Sequence, residues 1–457
     1  MTSRDYFKGK QIAVIGLGFC GEMVEDVSFL IKAGALVSIY DLKSEARIKG
    51  HLVFLRSIGL ANFVCGSIPP DDLLDMDLII LSHEYSRDSS FLKNVLIQNE
   101  SAQAVHSHSV GGENSKIIPI EYPETLFFKQ APPVTVVGVM GSCGKATVVS
   151  MLAPMLEIAC KSIDSQGFFV MDPESGEGIL SCLKKVKSGD IILLRIVESI
   201  MRELYSIRIS PHVAIYTTLP QKGSYDTSPF EILTYQTYNN FIIANDQVID
   251  AMHGLKIQPK AKMLRTKASL ISAEKLFAGN RMHDRDNAAL SVQAARLFKV
   301  SDEDVERVLS QWKPLKGRLE LVKKVKNVEF YNDTASISPC STETAIKALG
   351  SGRNIVLIFG GAKVKGDFEV LYTSFSNNVH TIVLLPGSGT MMERLSIGKL
   401  KDIEIYSAPS IEESVRIAFE HSNKDDRILF SPGFDAIGID SSRKERGDRF
   451  VKAVRSI

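Results

Sequence analysis

Val134-Thr135-Val136-Val137-Gly138-Val139-Met140-Gly141-Ser142-Cys143-Gly144-Lys145-Ala146-Thr147 decides how this chain is read, because an apolar, β-branched run ends in a glycine turn and a lysine follows it. The segment reads as a strand, a loop and the first turn of a helix. Glycines let backbone N–H groups close on phosphate oxygens, the helix N-terminus adds partial positive charge, and Lys145 adds a full one. Ala146 occupies the place where a Ser or Thr hydroxyl ordinarily ligates the Mg²⁺ that accompanies ATP. Val139 stands where the first glycine of Gly-x-x-x-x-Gly-Lys would be. A ligand-free strand-to-helix turn has the same local form. Gly141, Ser142, Cys143, Gly144, Lys145, Ala146 and Thr147 are therefore a phosphate-binding expectation that gains weight from the rest of the chain.

On the N-terminal side, Gln11-Ile12-Ala13-Val14-Ile15 runs into Gly16-Leu17-Gly18-Phe19-Cys20-Gly21, a helical pattern continues to about Ala33, and a second strand over 36–40 ends at Asp41. This start suits a nucleotide whose phosphates meet the helix end and whose distal part reaches Asp41. The glycines sit one residue closer than in the dinucleotide fingerprint, so a bare α/β turn is the alternative. Residues 77–82 read as a later strand of the same sheet, and Pro132-Pro133 marks a boundary. Strands are expected over 191–194, 213–217 and 241–244, with a helix over 282–298 that carries Asn287. Trp312 reads as core or interface packing. After Pro314, strands are expected over 328–331, 355–359, 381–385 and 427–430. Asn332-Asp333-Thr334, Gly360-Gly361 and Ser431-Pro432-Gly433 follow three of them and should line one crevice.

A chain of 457 residues is long for one core, and 44% hydrophobic with 23% charged residues is ordinary globular composition. The net charge of +1 gives no reason to expect nucleic acid or an acidic membrane as partner. Arg4, Asp5, Lys8 and Lys10 interrupt any secretory leader, and no apolar run nears the roughly 20 residues of a membrane span. The six cysteines lie scattered without a Cys-x-x-Cys pair, which indicates neither zinc nor a disulfide framework and is consistent with a reducing cytoplasm. His106 and His108 read as a polar loop.

The order of these elements resembles the Mur ligase family over essentially the whole chain, and most of all its D-glutamate-adding type. The resemblance rests on Gly16 to Gly21 with Asp41, Gly141 to Thr147, Ser210-Pro211-His212, and His283-Asp284-Arg285-Asp286-Asn287. Toward the C-terminus it rests on Gly317-Arg318-Leu319-Glu320, Tyr331-Asn332-Asp333, Ser341-Thr342-Glu343, Gly360-Gly361 with Asp367-Phe368, Ser431-Pro432 and 445–450. It implies an α/β chain of three domains. These are a Rossmann-like precursor domain at 1–131, a P-loop-type ATPase domain at 132–314 and a Rossmann-like domain for amino acid and ATP at 315–457. It implies transfer of the ATP γ-phosphate to the carboxylate of UDP-N-acetylmuramoyl-L-alanine, followed by attack of the D-glutamate amine. It also implies a cytoplasmic monomer whose partners are these small molecules.

Carried over residue by residue, the resemblance places Phe19, Cys20, Asp41, Leu42, Ser82 and Ser431 at the precursor, and Asn287, Arg318 and Asp333 with the loop at ATP. Lys145, Arg318 and Asp333 become the catalytic set. Other positions depart from the family. Its metal-binding glutamate falls either at Arg195 or at Glu198, depending on whether the strand end or Ser210-Pro211 anchors the alignment. Its Asp-His falls at Lys222-Gly223, and no lysine stands between Lys222 and Lys256 to be carbamylated. The acceptor segments read Thr334-Ala335-Ser336-Ile337 and Ala436-Ile437-Gly438, the lysine after Gly-Gly falls at Val364, and Glu84 replaces a glycine near the diphosphate. Mg²⁺ is therefore expected to bind weakly, and a nucleotide- or precursor-binding protein of the same fold without ligase activity is the alternative function.

Overall fold

The computed structural model describes residues 3–18, 21–107, 116–162, 166–173, 177–219, 228–271, 282–362, 368–398, 400, 402–434 and 443–457. Three sheets follow one another along the chain. The first contains β1 (Gln11–Ile15), β2 (Leu36–Asp41), β3 (Asn62–Cys65), β4 (Leu78–Leu81) and β5 (Ile120–Glu121) in the order β3-β2-β1-β4-β5. The second contains β6 (Thr135–Met140), β7 (Phe168–Met171), β8 (Ile191–Arg195), β9 (Val213–Tyr216), β10 (Phe241–Asn245) and β11 (Lys262–Thr266) in the order β11-β10-β9-β6-β8-β7. The third contains β12 (Glu320–Val325), β13 (Val328–Asn332), β14 (Ile355–Phe359), β15 (Val379–Leu384), β16 (Glu404–Ser407) and β17 (Arg427–Phe430) in the order β12-β13-β17-β14-β15-β16. All described pairings are parallel except β12 with β13.

Parallel strands joined by helices are covered on both faces, so their sequences are continuous apolar runs. On β6, Val136 and Met140 enter a core shared with the first sheet, whereas Val137 and Val139 enter a second core under the helix Lys145–Lys161. On β14, Ile355, Leu357 and Phe359 face one side and Val356 and Ile358 the other. The first core runs without a break from Phe7 to Ala261, so the first and middle units are packed as one apolar body.

In every sheet the strand order reverses at a strand whose C-terminal end carries one of the polar turns: β1 before Gly16, β6 before Gly141, and the β13, β17, β14 group before Asp333, Ser431 and Gly360. Such switch points leave a crevice beyond the strand ends. Among the described residues, no helix is long and apolar enough to cross a membrane.

Candidate functional site

The loop after β6 depends on two glycines in the left-handed region. Gly141 has φ +129°, and a Cβ there would stand 2.4 Å from Thr217 Oγ1 and 2.5 Å from the Thr218 carbonyl oxygen. Gly144 has φ +87°, and a Cβ there would lie 2.6 Å from Asn287 Oδ1. Neighbouring β9 supplies the frame. The Ser142 N–H donates to the Thr218 carbonyl at 3.0 Å, the Cys143 N–H donates to Thr218 Oγ1 at 2.9 Å, and the Thr217 hydroxyl donates to the Cys143 carbonyl. Lys145 opens the helix and folds back, its ammonium donating to the carbonyls of Gly141 and Ser142.

A cavity of about 260 Å³ opens in front of this loop, between the middle and third units. Ser142, Cys143, Gly144, Lys145, Ala146, Thr147, Asn287, Arg318 and Asp333 all line it. Gly141 is not in its wall; it forms the base of the loop. From the third unit come Ser338, Ser341 and Thr344, presented by the helix Pro339–Leu349, which the Ser338 side chain caps. Trp312 joins the second core, as its sequence position led us to expect. It also reaches the cavity rim, with its ring N–H donating to Ser150 Oγ at 3.0 Å.

Asp333 is 4% exposed and tightly held. It accepts the Leu319 N–H on Oδ1 at 3.1 Å and the Ser431 hydroxyl on Oδ2 at 2.7 Å. Burial pushes its carboxyl up to about 6, against these donors and the nearby Arg318. The Leu319 bond also steadies a non-glycine residue at φ +47°, a strained conformation beside Arg318.

The two candidates for the metal position separate. Arg195 ends β8 opposite Val139, is 6% exposed, lines the cavity, and pairs with Asp172 at 2.9 Å. Glu198 opens the next helix, Glu198–Ser206, and is exposed outside the cavity wall. Among the described residues, no three His, Cys, Asp or Glu side chains converge on a possible metal position. With a guanidinium at the strand end and a methyl group at Ala146, these donors do not fit a protein-held Mg²⁺.

The residues expected at the precursor are placed less uniformly. Asp41 is fully buried and accepts the Leu17 N–H at 3.0 Å and the Lys43 N–H at 2.8 Å, so it ties the first glycine turn instead of facing outward. Leu42 is exposed, and Ser82 is buried, its hydroxyl without a hydrogen-bond partner among the described residues. Ser431 lies beneath Asp333, within 3.0 Å of Thr342 Oγ1, and does not line the cavity. Glu84 stands over the turn, 3.2 Å from where a Gly16 Cβ would be, with Lys43 at 2.7 Å neutralising it. Phe19, Cys20, Lys222, Gly223, Val364, Asp367 and Ala436 to Gly438 lie outside the described residues.

Sequence reasoning did not bring forward Thr217, Thr218, Asp172 or Cys340. The threonines follow β9, and only the β6–β9 pairing puts them under the loop.

Residues 317–434 match the model of the Mur ligase glutamate ligase domain. Over 489 aligned residues the chain is 23% identical to the UDP-N-acetylmuramoylalanine–D-glutamate ligase of Acetivibrio thermocellus, covering 98% of this chain and 97% of that protein. Its fold matches a murein peptide ligase from Psychrobacter arcticus with a TM-score of 0.59 at 15% identity, over 98% of this chain and 99% of that one. It also matches the MurF ligase of Thermotoga maritima, solved in complex with ADP, with a TM-score of 0.52 at 16% identity over 99% and 97%. The chain thus resembles these ligases in sequence from end to end, matches the Mur ligase glutamate ligase domain over 317–434, and shares the fold of the two solved ligases.

Proposed function

We propose that the chain is an ATP-dependent, amide-forming ligase of peptidoglycan precursor synthesis, joining D-glutamate to UDP-N-acetylmuramoyl-L-alanine. One observation carries the reading: a single cavity gathers the loop 142–147 and Asn287 from the middle unit with Arg318 and Asp333 from the third. The Acetivibrio relative's name supplies the substrate pair. In this reading residues 1–131 hold the precursor, 132–314 hold ATP, and 315–457 hold the amino acid and part of ATP.

The triphosphate would meet the loop beyond Ser142 and Cys143, whose N–H groups are taken by Thr218, at the positive end of the helix Lys145–Lys161. Lys145 would exchange the carbonyls of its own loop for phosphate oxygens, and Arg318 would approach from the facing unit. Phosphate transfer to a carboxylate crowds negative charge, and Arg195 in the cavity wall would supply a fixed positive group against it. Asp333, held by Ser431 and the Leu319 N–H, positions Arg318 and Leu319. Mg²⁺ would arrive with its coordination filled by phosphates and water, and none of these roles passes through it.

Two observations favour a second reading, in which the fold binds nucleotide without forming the amide. They are Arg195 in the cavity wall, already paired with Asp172, and the Glu84–Lys43 pair over the first glycine turn. A phosphate-release assay with ATP, UDP-N-acetylmuramoyl-L-alanine and D-glutamate, run across Mg²⁺ concentrations, separates the two. The ligase reading expects release only when all three substrates are present. ATP binding by calorimetry with no release under any condition would replace it with the second reading.

A further inference from the structure

We propose that Cys143 and Cys340 form a redox-modification site, at which a peroxide converts the two thiols to a disulfide that staples the phosphate loop to the helix Pro339–Leu349 of the third unit. The two sulfurs lie 3.9 Å apart where the middle and third units meet, although 197 positions separate them in the chain. Both are free thiols and partly accessible. A disulfide needs about 2.05 Å between sulfurs, so they must approach by about 2 Å, within reach of side-chain rotation.

The surroundings divide the labour. The contact between the two thiols, with Lys145 and Arg318 close by, lowers Cys143 against the opposing effect of burial and so favours its thiolate. Cys340 is pushed up by that same neighbour, by burial and by Glu343, so it keeps its proton until the second step. The Cys143 thiolate attacks one oxygen of hydrogen peroxide, the O–O bond breaks, hydroxide leaves, and the sulfur becomes a sulfenic acid. The Cys340 sulfur then attacks that sulfur. An S–S bond forms, the S–O bond breaks, and the departing hydroxide takes the Cys340 proton as water. Two thiols and one peroxide give one disulfide and two waters. Cys160 and Cys182 are both shifted up by burial, Cys182 to about 11, and serve as internal comparisons.

One consequence rests on the proposed nucleotide site: with Cys143 bridged, the loop can no longer close on phosphates, and the two units are fixed across the cavity. The test treats the reduced full chain with stoichiometric hydrogen peroxide, quenches with an alkylating agent, and maps peptides without reduction. A linked Cys143–Cys340 peptide is expected, forming at least about tenfold faster than Cys160 or Cys182 is lost and reversed by dithiothreitol. In both Cys340→Ser and Cys340→Ala, dimedone should trap the Cys143 sulfenic acid and the link should be absent. Cys143 surviving as a free thiol, or pairing elsewhere, overturns the proposal. ATP binding is measured on the same samples. A bridge that forms in a chain that never bound ATP refutes the nucleotide reading and leaves the redox site standing. ATP binding without a bridge does the reverse.

Discussion

Gly144 and Lys145 show how much of the site is decided atom by atom. Any side chain at Gly144 would be strained at φ +87° and would collide with Asn287, so the loop and the residue expected beside the nucleotide are mutually fitted. Gly144→Ala should cost about 1–3 kcal/mol of stability, read by urea denaturation; an unchanged midpoint would mean the loop relaxes freely. Lys145→Ala should weaken ATP binding by roughly 10- to 100-fold, the worth of a hydrogen bond to a charged group. Unchanged affinity in calorimetry would make the loop a mere turn. Metal chemistry is testable at the same scale. Ala146→Ser should raise Mg²⁺ affinity in the presence of ATP, whereas Glu198→Gln should leave it unchanged because Glu198 is exposed outside the cavity wall. Loss of Mg²⁺ response in Glu198→Gln would bring that residue back as the ligand. The glycines, Lys145, Asn287, Arg318 and Asp333 were legible because their chemistry is local or carried by a motif. Thr218 and Cys340 were not, since strand pairing and the packing of two units bring them to the loop.

At the level of elements, the strands that sequence patterning identified and those it passed over divide along a physical line. β1, β2 and β4, then β6, β8, β9 and β10, then β13, β14, β15 and β17 are interior to their sheets, covered on both faces, and read as apolar runs. β3, β5, β7, β11, β12 and β16 went unread, and they are the six edges. Edge strands such as Lys262–Thr266, with burial at only its last residue, lose the apolar signature because one side meets solvent. Capping chemistry sets one helix end beside the cavity. Ser338 caps the helix Pro339–Leu349, which carries Ser341 and Thr344 to the cavity. Ser338→Ala should cost about 1 kcal/mol and loosen that wall, measured by denaturation and by faster amide exchange across 340–344. Equal exchange in both proteins would assign the helix start to packing alone.

Across the whole molecule, the first and middle units share one core, and a buried acid sits where they meet. Asp26 accepts the Leu180 N–H at 2.7 Å, and its neighbour Glu25 accepts the Gly178 N–H at 2.9 Å, so the helix Val24–Lys32 grips the middle unit through carboxylates. Burial pushes Asp26 up to about 7, outweighing the Leu180 donor, and Glu124 adds to the shift. His83, 2.9 Å from Glu124, is also raised; burial opposes that shift and Glu124 prevails. Both groups hold a proton more tightly folded than unfolded. The Asp26 contribution is therefore fully present below the unfolded carboxyl value and is lost as pH rises through about 7, whereas that of His83 is fully present below the ordinary histidine value and is lost as pH rises through its raised one. Asp333, pushed up to about 6, adds a slope of the same sign in the third unit. D26N keeps an oxygen for the Leu180 N–H and removes the charge. It should stabilise the chain relative to the parent by an amount that grows from pH 5 to pH 8 and reaches at most about 4 kcal/mol. The Asp333 slope should remain. Urea midpoints taken across that range would decide the matter: parallel profiles for D26N and the parent would show that Asp26 is already ionised in the folded chain, and that the grip between the two units does not depend on its proton.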